Sequence, residues 1–112
     1  MPKVIYLACP YSNNPQKRFE EVSEETVRLL KEGYIIFSPI VHCHPLAVEF
    51  NLRGDFDFWE TYDRSMIDHC DIVCVLKLEG WEKSVGTQAE IKIAEEMKKP
   101  VIYIDRGESP KC

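Results

Sequence analysis

The 112 residues include 14 Lys plus Arg against 19 Asp plus Glu, a formal net charge of −5, and 45% are apolar. This is the length of one small domain with one modest core, and two domains are excluded. The acidic balance argues against a nucleic-acid polymer or an anionic membrane as the main partner and points to a small ligand or another protein.

Lys3 to Cys9 (KVIYLAC) is apolar and β-branched almost throughout, the composition of a strand covered on both faces of a parallel sheet. After the turn-forming YSNNP, residues Pro15 to Glu32 place Phe19, Val22, Leu29 and Leu30 at helical spacing among charged residues, and Gly33 closes that helix. Tyr34 to Ser38 (YIIFS) is a second buried strand, ended by Pro39, which has no amide hydrogen for a ladder. From Pro39 to Phe56 the period is irregular and His, Pro and aromatic residues accumulate, so a long connection is expected there, forming a lid or substrate wall. From Asp57 onward Trp59, Tyr62, Met66 and Cys70 recur at helical spacing. Ile72 to Leu76 (IVCVL) is a third buried strand, Val85 to Lys98 a helix, and Val101 to Ile104 (VIYI) a fourth strand. The tail RGESPKC has the composition of a disordered segment. Strands alternating with helices give an α/β fold on a parallel sheet with right-handed crossovers. A strand order 2-1-3-4 puts the ligand-facing switch point between the first and third strands, where the loop after Ala8 faces the loop from Lys77 to Glu90.

Cys9, Cys43, Cys70, Cys74 and Cys112 are odd in number and lack C-x-x-C spacing, so they are expected to be reduced. The N-terminal apolar run is interrupted by Pro10 and too short for a signal peptide or a spanning helix, which places the chain in the cytoplasm. His42-Cys43-His44 offers metal-ligating side chains, but in an extended segment Cys43 faces away from the two histidines, and no second pair has ligand spacing. No metal is expected.

Glu90 shares a helical stripe with Ile93, Ala94 and Met97, the stripe a helix turns toward its sheet. A carboxylate there loses water and needs compensation, which a helix N-terminus supplies in part. The expectation is an ionised Glu90 fixed at a cleft, the form that attacks an electrophilic sugar carbon. The alternative is a capping box, Thr87-x-x-Glu90, and the two separate by register: a cap at Ser84 leaves Glu90 too deep in the helix to reach back. Ser84 to Gly86 offers a hydroxyl and helix-terminal amides able to hold a phosphate or a sugar hydroxyl. Asp71, at a helix-to-strand junction, either points into the cleft or caps the turn. Tyr6 either lends its hydroxyl to a catalytic acid or is a core residue. Lys17 and Arg18, beside the first loop, either draw an anionic ligand or form a solvated face. Of Phe56, Phe58, Trp59 and Tyr62, one ring is placed to stack on a nucleobase while the others serve the core or an oligomer contact.

Together IYLACPY (Ile5 to Tyr11), CDIVCVL (Cys70 to Leu76) and GWEKSVGTQAE (Gly80 to Glu90) resemble the nucleoside 2-deoxyribosyltransferase-like superfamily, most closely its short bacterial and phage branch. The likeness spans Val4 to Ile104. It implies a flavodoxin-like three-layer sandwich with a parallel sheet of four to five strands. It also implies an enzyme that cleaves the N-glycosidic bond of a nucleoside or a deoxynucleoside 5′-monophosphate, passing the sugar to water or another base; the alternatives are a hydrolase of another N-ribosyl bond, such as that of NAD or an ADP-ribose derivative, and a nucleotide-binding module without turnover. Glu90 matches the nucleophile, Tyr6 the tyrosine that holds it, and Asp71 the aspartate that contacts the base or assists protonation. Ser84 stands where the transferases carry an acid, which favours a 5′-phosphate, with Ser84 and Gly86 holding the 5′ end. Cys9-Pro10-Tyr11 replaces the glycine-rich turn of the hydrolases, a departure at the phosphate site; Pro10, Tyr11, Arg18 and Trp59 complete the expected substrate-binding set. No cofactor or metal is implied, and the implied assembly is a homo-oligomer, a dimer or tetramer.

Overall fold

A computed structural model of the chain describes residues 2–53 and 56–111. Its strands are β1 (Val4–Ala8), β2 (Ile35–Phe37), β3 (Ile72–Leu76) and β4 (Val101–Ile104), and its helices α1 (Pro15–Lys31), α2 (Pro39–Phe50), α3 (Phe56–His69) and α4 (Val85–Glu96). All pairings are parallel and the order is β2-β1-β3-β4, with Tyr6 opposite Phe37 on one side and Val73 on the other. Chain connections leave β1 and β3 in opposite directions, so their carboxyl ends frame the switch point that the sequence places there.

Alternation along each strand divides the core in two. Ile5, Leu7, Cys74 and Leu76 face α1, packing with Val22 and Leu29, whereas Tyr6, Ala8, Val73 and Val75 face Ile67 of α3 and Ile91, Ile93 and Ala94 of α4. Helices on both faces of a four-stranded parallel sheet are consistent with a flavodoxin-like three-layer fold. The central strands are buried throughout, but β2 and β4 are edges: Ile35 and Tyr103 are nearly half exposed, so the second strand is not the fully buried one its composition suggests. Leu30 likewise points outward on α1, where Val22, Thr26 and Leu29 form the buried stripe.

Two expectations are corrected. The stretch from Pro39 is not a loop but mostly a helix, α2. The Ser38 hydroxyl accepts from the Val41 amide at 3.3 Å and Pro39 occupies the first turn, where its fixed φ favours the helix and its missing N–H costs nothing. Residues 54 and 55 of that stretch lie outside the described residues. The tail is strapped to α1 rather than disordered. Gly107 donates its amide to Glu25 at 2.7 Å, the Tyr34 hydroxyl donates to the Pro110 carbonyl at 3.0 Å, and Arg106 pairs with Glu21 and Glu24. Cys9, Cys43 and Cys70 are free thiols, as expected; Cys112 lies outside the described residues. Among the described residues no helix is long and apolar enough to cross a membrane.

Because Leu29 is fully buried and Val48 is largely exposed, Leu29→Ala should cost about 2–5 kcal/mol and Val48→Ala less than about 0.5 kcal/mol in chemical denaturation. Equal costs would contradict this packing.

Candidate active site

Three buried polar side chains meet where the sheet ends. Tyr6, inaccessible to solvent in the middle of β1, extends its phenol toward α4 and donates a short hydrogen bond to Glu90 Oε2. Glu90 itself is 5% exposed. Its depth is set by the cap: Ser84 accepts from the Thr87 amide at 3.2 Å, so α4 begins at Val85 and Glu90 stands in the second turn. That register removes the capping-box alternative. Asp63 projects from the buried side of α3 beside them, and its Oδ1 has no hydrogen-bond partner among the described residues. A cavity of about 340 Å³ opens onto this group. Its walls are Cys9, Tyr11 and Ser12 after β1; Pro39, Ile40, Cys43, His44 and Ala47 on α2; Phe56, Asp57, Trp59 and Asp63 on α3; and Ser84, Val85, Gly86 and Glu90 at the start of α4.

The sequence profile of the family described as "Domain of unknown function (DUF1937)" matches residues 3–106. The chain belongs to this family. No curated protein matches it.

In this DUF1937 domain, Glu90, Tyr11, Ser84, Gly86 and Trp59 line one cavity, and Tyr6, fully buried, is joined to it through its hydrogen bond to Glu90. Three other residues do not join them. Asp71 precedes β3, at the opposite end of the sheet, exposed and accepting from the Val4 amide at 2.8 Å while its own amide donates to the Val4 carbonyl. It ties the start of β3 to the start of β1, the turn-capping alternative. Pro10 is buried and outside the cavity wall. Arg18 is buried as well: it donates to the Glu79 carbonyl at 2.5 Å and pairs with Glu21 at 3.2 Å, bracing α1 against the loop that leads from β3 to α4. Its guanidinium is committed there rather than to a ligand. His42-Cys43-His44 lies on a helix, and among the described residues no cluster could hold a metal ion.

The acid that sequence reasoning missed is Asp63. It lies four residues after Trp59 and four before Ile67, so it interrupts an apolar helical stripe just as Glu90 does.

The electrostatics also depart from expectation. Burial, and then the facing Asp63, push Glu90 well above the ordinary carboxylic range, while the Tyr6 hydrogen bond opposes them. The α4 terminus gives little help, because its field falls off within the first turn. Burial raises Asp63 to about 7, with the Tyr6 hydroxyl pulling it down. Two acids in one dry site cannot both ionise cheaply, so they titrate as a pair that holds one proton near neutrality. Burial also lifts the Cys43 thiol to about 12 and Cys9 higher, leaving both as neutral thiols rather than nucleophiles.

An acid whose folded value is raised ionises more easily once the chain unfolds, so it draws down stability as pH climbs from its unfolded to its folded value. The wild type should therefore lose stability relative to Asp63→Asn as pH rises from 3.8 to about 7. Denaturation midpoints across that range test this, and a relative gain for the wild type would contradict it.

Proposed function

We propose that this domain is a cytoplasmic enzyme cleaving the N-glycosidic bond of a nucleoside or deoxynucleoside 5′-monophosphate through a covalent glycosyl–Glu90 intermediate. The observation that carries it is the buried Glu90–Tyr6–Asp63 group opening onto a nucleoside-sized cavity at the switch point. The resemblance of the Ile5–Tyr11, Cys70–Leu76 and Gly80–Glu90 motifs to the nucleoside 2-deoxyribosyltransferase-like superfamily adds to it.

One proton and one negative charge shared by two acids are what such a reaction needs. Burial leaves the shared proton on Glu90 at rest; the reacting form moves it to Asp63, with the Tyr6 hydrogen bond holding the charge left on Glu90, and the pair is then nucleophile and general acid at once. Glu90 Oε bonds to the anomeric carbon as the bond to the base nitrogen breaks; the bonding electrons leave with the base, which takes the proton of Asp63. Water, or a second base, then attacks the same carbon, the ester to Glu90 breaks, and the proton of the attacking group passes to Asp63. Asp63 thus takes the part that the resemblance implies for Asp71.

At the other end, the first amides of α4 have no intrahelical partner and, with Ser84 and Gly86, offer the 5′ end of the sugar its hydrogen bonds. Among the described residues the wall contains no Lys or Arg, so a 5′-phosphate rests on this helix terminus alone. Trp59 and Phe56 supply flat surfaces for a base. A homo-oligomer belongs to the proposal too, since Val48, Phe50 and Leu52 leave apolar surface exposed.

With a mixture of nucleosides and their monophosphates, and released bases read by mass, Glu90→Gln should lower turnover about 10³-fold or more while retaining ligand. Asp63→Asn should lower it about 10²–10⁴-fold, and Asp71→Asn should leave it unchanged. Undiminished turnover in Glu90→Gln, or a large loss in Asp71→Asn with Asp63→Asn intact, contradicts the proposal. A deoxynucleoside compared with its monophosphate reads the 5′ site directly.

A further inference from the structure

Tyr11 lines the cavity after β1, and beside it on the same wall stands His44 of α2, buried and stacked on Phe19 with ring centroids 4.6 Å apart. Four side chains form a line from cavity to surface: the Tyr11 hydroxyl lies 2.7 Å from His44 Nδ1, His44 Nε2 lies 3.0 Å from Gln16 Oε1, and Gln16 Nε2 lies 2.9 Å from Glu20 Oε2. The outer end fixes the direction of every link. A carboxylate only accepts, so Gln16 turns its amide nitrogen to Glu20 and its carbonyl oxygen inward. A carbonyl only accepts, so His44 carries its hydrogen on Nε2. Burial lowers the pKa of His44 and keeps the ring neutral, which leaves Nδ1 a lone pair. The phenol hydrogen of Tyr11 is the one that fills it.

We infer that Tyr11 is a specificity-determining residue: its hydrogen is committed to His44, so its oxygen offers the cavity only lone pairs and selects ligands that bring an N–H or O–H donor there. A phosphate oxygen or a base carbonyl at that place meets an acceptor and loses water without compensation. An amino group on the base or a hydroxyl on the sugar satisfies it. The ligand class rests on the nucleoside assignment proposed for the same cavity; the polarity of Tyr11 does not.

The test has two arms on the full chain. Imidazole ¹⁵N spectra of the labelled protein at neutral pH should show His44 as the Nε2–H tautomer; an Nδ1–H tautomer or an imidazolium overturns the inference. In the second arm, Glu90→Gln blocks turnover, and calorimetry compares 2′-deoxyadenosine with purine 2′-deoxyriboside, which lacks the amino group, and 2′,3′-dideoxyadenosine, which lacks the 3′-hydroxyl. One deletion should weaken binding roughly tenfold, and which one tells base from sugar. Adding Tyr11→Phe should erase that difference. Equal affinities for all three ligands, or a difference that survives Tyr11→Phe, overturns the inference. If neither the three ligands nor the 5′-monophosphates of the four common deoxynucleosides bind while His44 is the Nε2–H tautomer, the nucleoside assignment fails and the acceptor polarity stands.

Discussion

Holding two carboxyl groups and a phenol together out of water, where four strands end, is the constraint around which this domain is arranged. Desolvation alone moves Glu90 and Asp63 upward, and each makes ionisation of the other harder. The Tyr6 hydrogen bond, donated from a fully buried strand position, is the main compensation. A site of this kind weakens the fold, and the apolar layers on both faces of the sheet must offset it.

The geometry is set by a few fixed polar contacts around the cavity and at the far end of the sheet. Ser84 fixes where α4 starts and so the turn on which Glu90 stands. Arg18 holds the approach to that helix by gripping the Glu79 carbonyl, close to Gly80, which takes a positive φ of 84° that favours glycine. Asp71 stitches β3 to β1 at the far end of the sheet, keeping in register the two strands whose carboxyl ends frame the cavity.

Much of this was legible in the chain because it rests on local pattern. The runs IVCVL and VIYI are strands with the bounds their composition suggests, and Glu90 stands out as an acid on an apolar stripe. Asp63 meets the same criterion, but its neighbours Asp57, Glu60 and Asp68 make α3 look acidic in general, and Asp71 draws attention by its place beside a strand. The helix α2 was hidden by Pro45, which ordinarily argues against a helix interior, and by an apolar content too high to show a face. Arg18 reads as a surface cation because its partner, a backbone carbonyl 61 residues away, leaves no trace in the residues near it. The tail's attachment to α1 is of the same long-range kind, made through Glu25, Arg28 and Tyr34.

Carboxyl ¹³C titration of Glu90 and Asp63, each assigned with the other replaced by its amide, measures the central claim most directly. The account requires that the intact pair keep one proton between them at neutral pH, and that removing either acid make the other easier to ionise. Two carboxylates that both ionise in the ordinary range, indifferent to each other's presence, would contradict it.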